Sequence, residues 1–152
     1  QGQNILVLRS LGKFFGLAGL RLGFVIGPDD IATVLGDRLG PWAVSGPAIE
    51  IGARALADEN WIREMASDLK AKARRLNDLL QASGLSIVGG TELFTLIETN
   101  RAQAIYQALG KAGILVRRFE DQPDWLRIGL PGAESEWEKL IAALSAINNM
   151  GE

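Results

Sequence analysis

Apolar residues form two short uninterrupted runs near the start of the chain. Residues 5–8 and residues 24–26 are apolar at every position. Because strands covered on both faces lose the alternation of polar and apolar residues, these runs predict buried strands in the middle of a covered sheet. Between them, residues 10–23 hold four glycines, a lysine and an arginine, which predicts a structured loop rather than a regular element.

Helical periodicity follows. Short helices are predicted over residues 30–40 and residues 47–57, the second with Pro47 in its first turn. The strongest period covers residues 59–82 and ends before Gly84, a typical stop signal. The apolar stripe of this helix consists of Trp61, Ile62, Met65, Leu69, Ala73, Leu76 and Leu80.

The remainder of the chain alternates strands and helices. Strands are predicted at residues 85–88, 93–97, 114–118 and 125–129, with Gly89-Gly90 as the turn between the first two. A helix is predicted over residues 101–112. Ser135 and Glu138 match a capping box at the start of a final helix, whose stripe is Trp137, Leu140, Ile141, Leu144 and Ile147. We expect an α+β arrangement, a small antiparallel or mixed sheet backed by helices.

The composition excludes several classes of protein. The 152 residues fit one domain and include no histidine and no cysteine. Serine–histidine and cysteine–histidine triads are therefore excluded, as are disulfides and cysteine-based zinc sites, and we expect no metal site. The net charge of −2 gives no general attraction to nucleic acid or anionic membranes. No stretch approaches the roughly 20 apolar residues of a membrane span, and we expect a cytoplasmic protein.

Residues 10–23 carry the candidate chemistry. Ser10 and Lys13 match S-x-x-K, the nucleophile pair of penicillin-binding proteins, but the S-D-N and K-T-G partners of that motif are missing from the sequence. A lysine between Gly12 and two phenylalanines is expected in a partly apolar setting, which disfavours its ammonium form. The free amine forms Schiff bases with carbonyl compounds. A serine hydroxyl and an arginine fork suit a phosphate, so a phosphorylated aldehyde such as pyridoxal 5'-phosphate would use all three groups.

The same segment, SLGKFFGLAGLRLGF, resembles the lysine motif of the class I and II aminotransferases, which are fold-type I pyridoxal-phosphate enzymes. The family pattern has a serine or threonine three residues before the lysine, then Gly-x-Arg-x-Gly with the arginine eight residues after it. The resemblance implies an α/β fold, with Lys13 as the catalytic lysine that carries the cofactor and Ser10 and Arg21 as ligands of its phosphate.

The resemblance extends to later segments. Residues 40–45, Gly-Pro-Trp-Ala-Val-Ser, resemble the segment before the long interdomain helix of the family. Residues 125–129, Trp-Leu-Arg-Ile-Gly, resemble the late strand whose arginine binds the substrate α-carboxylate, which implies that Arg127 binds substrate. Arg117 and Arg118 are adjacent on a predicted strand and must face opposite ways. We interpret both as structural.

Within the family, the amino-acid sequence of the motif and of residues 114–132 most resembles that of the threonine-phosphate decarboxylases of cobalamin biosynthesis, and next that of the histidinol-phosphate aminotransferases. Many of the latter have a serine directly before the lysine, where this sequence has Gly12. This favours the decarboxylase branch, acting on L-threonine O-3-phosphate, a phosphorylated amino acid. The resemblance further implies a homodimer.

The resemblance covers only the carboxyl-terminal part of the family, so we expect a truncated or proteolysed form. Residues 1–30 would be the end of the large cofactor-binding domain, residues 31–58 connecting helices, and residues 59–152 the small domain. The apolar faces of the first two strands would then be exposed. An alternative hypothesis is that the chain by itself is a catalytically silent α+β domain, an association module, because the family's ring-binding groups lie outside it.

Overall fold

The computed structural model describes residues 5–149 and divides into two compact units, Gln1–Arg63 and Glu64–Glu152. The predicted boundaries at residues 30 and 58 remain predictions. Within the described residues, no helix is long and apolar enough to cross a membrane.

The first unit contains a strand pair and two helices. Strand β1 (Val7–Ser10) pairs antiparallel with β2 (Gly23–Ile26), and a single 3₁₀ turn, Ala18–Leu20, interrupts the loop between them. Helix α1 (Asp29–Leu39) and helix α2 (Gly46–Ala57) follow. The Ser45 hydroxyl accepts a hydrogen bond from the Ala48 amide at 3.3 Å, so Ser45 is the N-cap of α2 and Pro47 lies in its first turn as predicted.

All the residues of β1 and β2 are exposed, including their apolar side chains. The prediction that these apolar strands lie inside a covered sheet is therefore wrong for this chain. The expected exposure of their faces is confirmed.

Helix α3 (Glu59–Ala82) runs through the boundary between the units, with the bounds that the sequence predicts. Gly84, with φ of +73°, follows it in the left-handed conformation that glycine adopts most readily. The residues of its predicted stripe are half-buried or buried, and Leu76 and Leu80 are fully buried.

The second unit is a four-stranded antiparallel sheet with helices against one face. The strand order is β3-β4-β6-β5, and the core lies between the sheet and the helices. The elements are β3 (Ser86–Thr91), β4 (Phe94–Glu98), α4 (Ala102–Lys111), β5 (Arg117–Arg118), β6 (Trp125–Gly129) and α5 (Glu134–Asn149). The predicted small sheet backed by helices is confirmed, in its antiparallel form.

The hydrophobic core of this unit lies between the inner faces of helices α3, α4 and α5 and the two central strands, β4 and β6. It consists of Leu76, Leu80, Ile97, Ala102, Ile105, Leu109, Val116, Leu126, Ile128, Trp137, Leu140, Leu144 and Ile147. Thr95, a buried polar residue, donates its hydroxyl hydrogen to Asn77 Oδ1 at 2.6 Å, which compensates its burial. All the residues of this core lie between Leu76 and Ile147, within the second unit.

Three local predictions are wrong. Gly89 and Gly90 lie within β3, not in a turn, because a register irregularity between Ile87 and Gly89 allows the strand to continue to Thr91. The strand predicted over residues 114–118 is only Arg117–Arg118, and Ile141 is 40% exposed instead of inward.

The predicted capping box at Ser135 and Glu138 is also wrong. Helix α5 begins at Glu134, one residue before the predicted cap. The Glu136 carboxylate accepts hydrogen bonds from the amides of Gly132 at 2.6 Å and Ala133 at 3.2 Å. Glu136 therefore satisfies two backbone amides immediately before the helix, three and four residues upstream of it, and the cap lies two residues before the predicted one.

Candidate functional site

The loop from Ser10 to Gly23 is closed on itself by backbone hydrogen bonds. The Leu11 amide donates to the Leu22 carbonyl at 3.2 Å, and the Leu17 amide donates to the Leu11 carbonyl at 2.9 Å. The first bond continues the β1–β2 ladder into the loop, and the second folds residues 12–16 back onto it. The loop is thus a fixed backbone platform between two paired strands.

Leu11 anchors this platform to helix α2. Leu11 is 2% exposed, and a Cβ placed on Gly52 of α2 would lie 3.4 Å from Leu11 Cδ1 and 2.3 Å from Leu22 Cδ2. Because Gly52 has no side chain, both leucines that pair across the loop can pack directly against the helix backbone. The position of the loop therefore depends on a glycine far from it in sequence.

Ser10 and Gly12 form the start of the candidate site. The Gly12 amide donates to Ser10 Oγ at 3.1 Å, which holds the hydroxyl over the loop backbone. A Cβ on Gly12 would lie 3.4 Å from that oxygen and 3.2 Å from Ala18 Cα. A side chain at residue 12 would therefore press on the Ala18 backbone and touch the Ser10 hydroxyl.

Arg21 adopts a left-handed backbone conformation, with φ of 54° and ψ of 35°. Among the residues that the structure describes, it is the one non-glycine residue with positive φ. Such a conformation costs free energy for a residue with a Cβ, and it is typical of functional sites where the surrounding structure enforces it. The Arg21 amide and its Nη1 atom both donate to the Ala18 carbonyl at 3.4 Å, which directs the side chain back over the 3₁₀ turn.

The predicted residues Ser10, Lys13 and Arg21 line one cleft of about 230 Å³. Complete small-molecule sites typically have volumes of roughly 300–1,000 Å³, so this cleft is the size of part of such a site. The cleft brings together a hydroxyl, an amine and a guanidinium, together with the glycine backbone at residues 12 and 23. This donor set suits an anion such as a phosphate ester.

Lys13 is exposed. The sequence-based expectation of a partly apolar setting for its amine is therefore wrong within the described residues. The two phenylalanines that suggested it, Phe14 and Phe15, turn their rings toward Trp61.

Arg127 lies in the second unit, on the half-buried face of strand β6. Its neighbours along the strand, Leu126 and Ile128, point into the core, so Arg127 points to the face away from the helices. Its guanidinium carbon lies 4.9 Å from the centre of the Phe94 ring on the adjacent strand β4. This stacking leaves the edges of the guanidinium, which carry its N–H donors, available to an anion.

Arg117 shares this face with Arg127, which the sequence alone did not indicate. The two residues are register partners on β5 and β6, and directly opposed residues of an antiparallel pair point to the same face. The Arg117 guanidinium carbon lies 5.3 Å from the centre of the Phe119 ring. Arg118 points the other way, stacks 4.7 Å above Tyr106 and donates to Gln103 Oε1, which confirms that the adjacent arginines diverge.

Two guanidinium groups on opposed positions repel one another in the absence of an anion between or beside them. The described part of the chain contains no group of three or more acidic residues arranged to hold a metal ion. The open face of this sheet thus carries Arg117 and Arg127 with aromatic support, and also Glu98, whose carboxylate accepts a hydrogen bond from Trp125 Nε1 at 3.1 Å.

Most of the chain matches a known family. Residues 1–144 match the sequence model described as aminotransferase class I and II. The chain belongs to the class I and II aminotransferases, and its fold is that of the fold-type I enzymes of this family.

Among individual relatives, the chain is 44% identical over 141 residues to the threonine-phosphate decarboxylase of Pseudomonas aeruginosa. The alignment covers 93% of this chain and 42% of that protein. The chain is 28% identical over 149 residues to the histidinol-phosphate aminotransferase of Akkermansia muciniphila, with 97% of this chain and 41% of that protein covered. The chain thus spans about 42% of the length of the curated relatives that it matches.

A similar solved structure is the histidinol-phosphate aminotransferase of Sinorhizobium meliloti in complex with pyridoxal-5'-phosphate. It superposes with a TM-score of 0.82 at 21% identity, over 98% of this chain and 42% of that chain. This likeness confirms the fold that the lysine motif predicts.

Proposed function

We propose that the protein to which this chain belongs is a pyridoxal-phosphate-dependent decarboxylase of L-threonine O-3-phosphate, a step of cobalamin biosynthesis. The observation that carries the proposal is the shared cleft of Ser10, Lys13 and Arg21, in a chain with 44% identity to a threonine-phosphate decarboxylase. The cytoplasmic location and the homodimer that the family resemblance implies are part of the proposal.

The residues present fit the phosphate end of the cofactor. Ser10 Oγ, positioned by the Gly12 amide, would offer the phosphate one donor, and the Arg21 guanidinium would offer it a fork of two. Gly16, with its positive φ, closes the turn that begins at Lys13, and Lys13 lines the same cleft as Ser10 and Arg21.

Pyridoxal phosphate, when bound, supplies an aldehyde for Schiff-base exchange with amines and a ring that accepts the electron pair released by bond cleavage. Lys13 then has two tasks. Its Nζ atom would hold the cofactor in the resting enzyme, and as a free amine it would carry the proton that the product carbon needs.

Arg127 is the proposed ligand of the substrate α-carboxylate. A planar guanidinium stacked on Phe94 offers two parallel donors, which matches the two oxygens of a carboxylate. Arg117 on the same face is the proposed partner of the substrate's second anionic group. A substrate with both a carboxylate and a phosphate would use both arginines, which is the structural reason for favouring a phosphorylated amino acid.

Histidinol-phosphate aminotransferase is the second candidate, because the chain resembles these enzymes at lower identity and they share the fold. The two reactions are separated by their products. We expect the whole protein to release CO₂ and aminopropanol phosphate from L-threonine O-3-phosphate. Amino transfer to 2-oxoglutarate without CO₂ release would replace the decarboxylase assignment by the second candidate.

The cofactor site is tested on this chain directly. The chain is titrated with pyridoxal phosphate, reduced with borohydride and mapped by peptide mass spectrometry. We expect a saturable absorbance band and an adduct concentrated on Lys13, with little on Lys70, Lys72, Lys111 and Lys139. Equal modification of all five lysines would contradict the proposed cofactor site.

Turnover by residues 1–152 alone is a separate question. We propose that the isolated chain is catalytically silent, since its cleft has the size of part of a cofactor site. Measurable decarboxylation or transamination by this chain at saturating cofactor would contradict that statement.

A further inference from the structure

Lys13 is the first residue of a tight turn. The Gly16 amide donates to the Lys13 carbonyl at 3.0 Å, and Gly16 has φ of +68°. Phe14 and Phe15 are therefore the two corner residues of this turn, which we call the lysine turn (residues 13–16). Lys13 lines the cleft, whereas Phe14 and Phe15 do not.

Both corner residues pack against a single tryptophan. The rings of Phe14 and Phe15 lie edge to face at 5.1 Å, and Phe14 meets Trp61 edge to face at 5.7 Å. Phe15 stacks on Trp61 with ring centres 5.5 Å apart and an angle of 17° between the planes. Each ring thus contacts both others in one of the two geometries that aromatic pairs favour.

Trp61 itself is held at the start of helix α3. Its amide donates to Asp58 Oδ1 at 3.0 Å, and the Ile62 amide donates to the Asp58 carbonyl at 3.0 Å. Asp58 is therefore the N-cap of α3, and it fixes the first helical turn that carries Trp61. A helix start and the lysine turn are linked by side chains that are 46 positions apart in sequence, from residue 15 to residue 61.

We infer that Trp61 is a positioning residue for Lys13. Because Trp61 packs against both corner residues of the lysine turn, it fixes the backbone from which the Lys13 side chain projects. It thereby holds the amine at a fixed distance from the proposed phosphate ligands Ser10 and Arg21. Without Trp61, the amine keeps its chemical reactivity but loses its fixed distance from the phosphate site. This inference rests on the proposed cofactor site and adds a residue to it.

The test compares two aldehydes. Pyridoxal phosphate and pyridoxal differ by the phosphate, so the ratio of their Lys13 modification rates measures how well the amine and the phosphate site are aligned. Each rate is normalised to the mean for Lys70, Lys72, Lys111 and Lys139 in the same sample. A residue with a merely structural role would change both rates together and leave the ratio unchanged.

In the wild-type chain, we expect pyridoxal phosphate to modify Lys13 faster than pyridoxal does, after each rate is normalised. Because small displacements of reacting groups cost large factors in rate, Trp61→Ala is expected to lower the ratio by about tenfold. Trp61→Phe, which keeps a ring for both partners, is expected to restore most of it. Trp42→Ala is the matched control, since Trp42 is 91% exposed in the same unit and should leave the ratio unchanged.

Phe15→Leu provides a second variant that keeps an apolar side chain but removes the stacked ring, and its ratio is expected to fall as in Trp61→Ala. Circular dichroism establishes that each variant is folded, and Phe15→Leu decides the question if Trp61→Ala does not fold. An unchanged ratio in a folded variant would overturn the inference while leaving the cofactor site intact. A wild-type ratio near unity would instead overturn the proposed cofactor site.

Discussion

Arg21 combines an unfavourable backbone conformation with a candidate binding role. Its left-handed conformation costs roughly 1–2 kcal/mol relative to a residue without a Cβ. The motif therefore keeps an arginine at a place where glycine would be more stable, and the reason for this lies in its side chain.

Arg21→Gly separates the two effects. We expect the variant to resist urea as well as the wild type or better, by up to about 1 kcal/mol, because glycine adopts this conformation without strain. The preference of Lys13 for pyridoxal phosphate over pyridoxal should disappear, because the guanidinium is lost. Urea unfolding and lysine mapping measure the two quantities. A retained preference would remove Arg21 from the phosphate site.

Arg75 of α3 and Glu134 of α5 form an ion pair. Arg75 Nη1 donates to Glu134 Oε2 at 2.7 Å, its Nη2 donates to Oε1, and its guanidinium stacks 4.3 Å from Trp137. The hydrogen bond from Arg75 is the main reason that the pKa of Glu134 is lowered below its ordinary value of 4.5. The pair therefore stabilises the fold fully above pH 4.5, and that stabilisation is lost as pH falls through the lowered pKa.

Glu134→Gln should consequently lower the Tm slightly at pH 7, and the difference from wild type should shrink as the pH falls through the lowered pKa, because the protonated Glu134 is then uncharged like the introduced Gln. The loss is small because the pair is exposed. Thermal unfolding across this pH range measures it. Glu138→Gln, an exposed change of the same charge on the same helix, controls for net charge, and an equal pH dependence in both variants would contradict the role of the pair.

At the scale of elements, prediction from sequence succeeded where one local pattern decided the outcome. Helix α3 has its predicted bounds because an unbroken apolar stripe is followed by Gly84. Strand β6 also has its predicted bounds, because Leu126 and Ile128 are apolar on either side of a charged Arg127 and Gly129 follows them. Such patterns depend on neighbours in sequence and need no knowledge of the tertiary fold.

Prediction failed where a distant partner decided the outcome. Gly89 and Gly90 form part of a strand because β4 lies beside them, and paired glycines in isolation indicate a turn. The placement of Arg117 beside Arg127 follows from strand register, and the packing of Leu11 on Gly52 from helix position. Ser10, Lys13 and Arg21 could be brought together from sequence because they lie within one loop of a long motif.

The start of α5 gives a test at this scale. Glu136→Ala removes the acceptor for the Gly132 and Ala133 amides and should destabilise the fold by about 1 kcal/mol, the usual cost of a lost cap. Glu138→Ala, the position that the sequence pattern favoured, should change it by less than about 0.5 kcal/mol. Urea unfolding compares the two, and a larger loss in Glu138→Ala would restore the original capping box.

At the scale of the whole molecule, apolar surface is unevenly distributed. The β1–β2 pair exposes Val7, Leu8, Phe24, Val25 and Ile26, each between 40% and 77% exposed. Contiguous apolar surface on strands with unpaired edges favours association. The second unit encloses the continuous core described above, so its isolated exposed leucine, Leu115, has no comparable surroundings.

We therefore expect the 152-residue chain to associate at high concentration through β1 and β2. Leu8→Lys places a charge on this ribbon, where Leu8 is 77% exposed, and should shift association to severalfold higher concentration. Leu115→Lys, at a position that is 89% exposed, makes the same chemical change elsewhere and should have no effect. Sedimentation velocity measures both, and equal behaviour of the two variants would rule out the ribbon as the associating surface.

The self-closed loop also bears on how the protein folds. Its backbone hydrogen bonds join residues no more than 11 positions apart, from Leu11 to Leu22. The loop-closure entropy for such short separations is small, and contacts of this length form within about 10–100 ns. The β4–β6 pairing must instead close a segment that includes all of α4. The proposed phosphate ligands Ser10 and Arg21 therefore lie in a loop whose backbone hydrogen bonds are local, so this backbone can close before the slower sheet is complete, whereas its packing on Gly52 and Trp61 follows later.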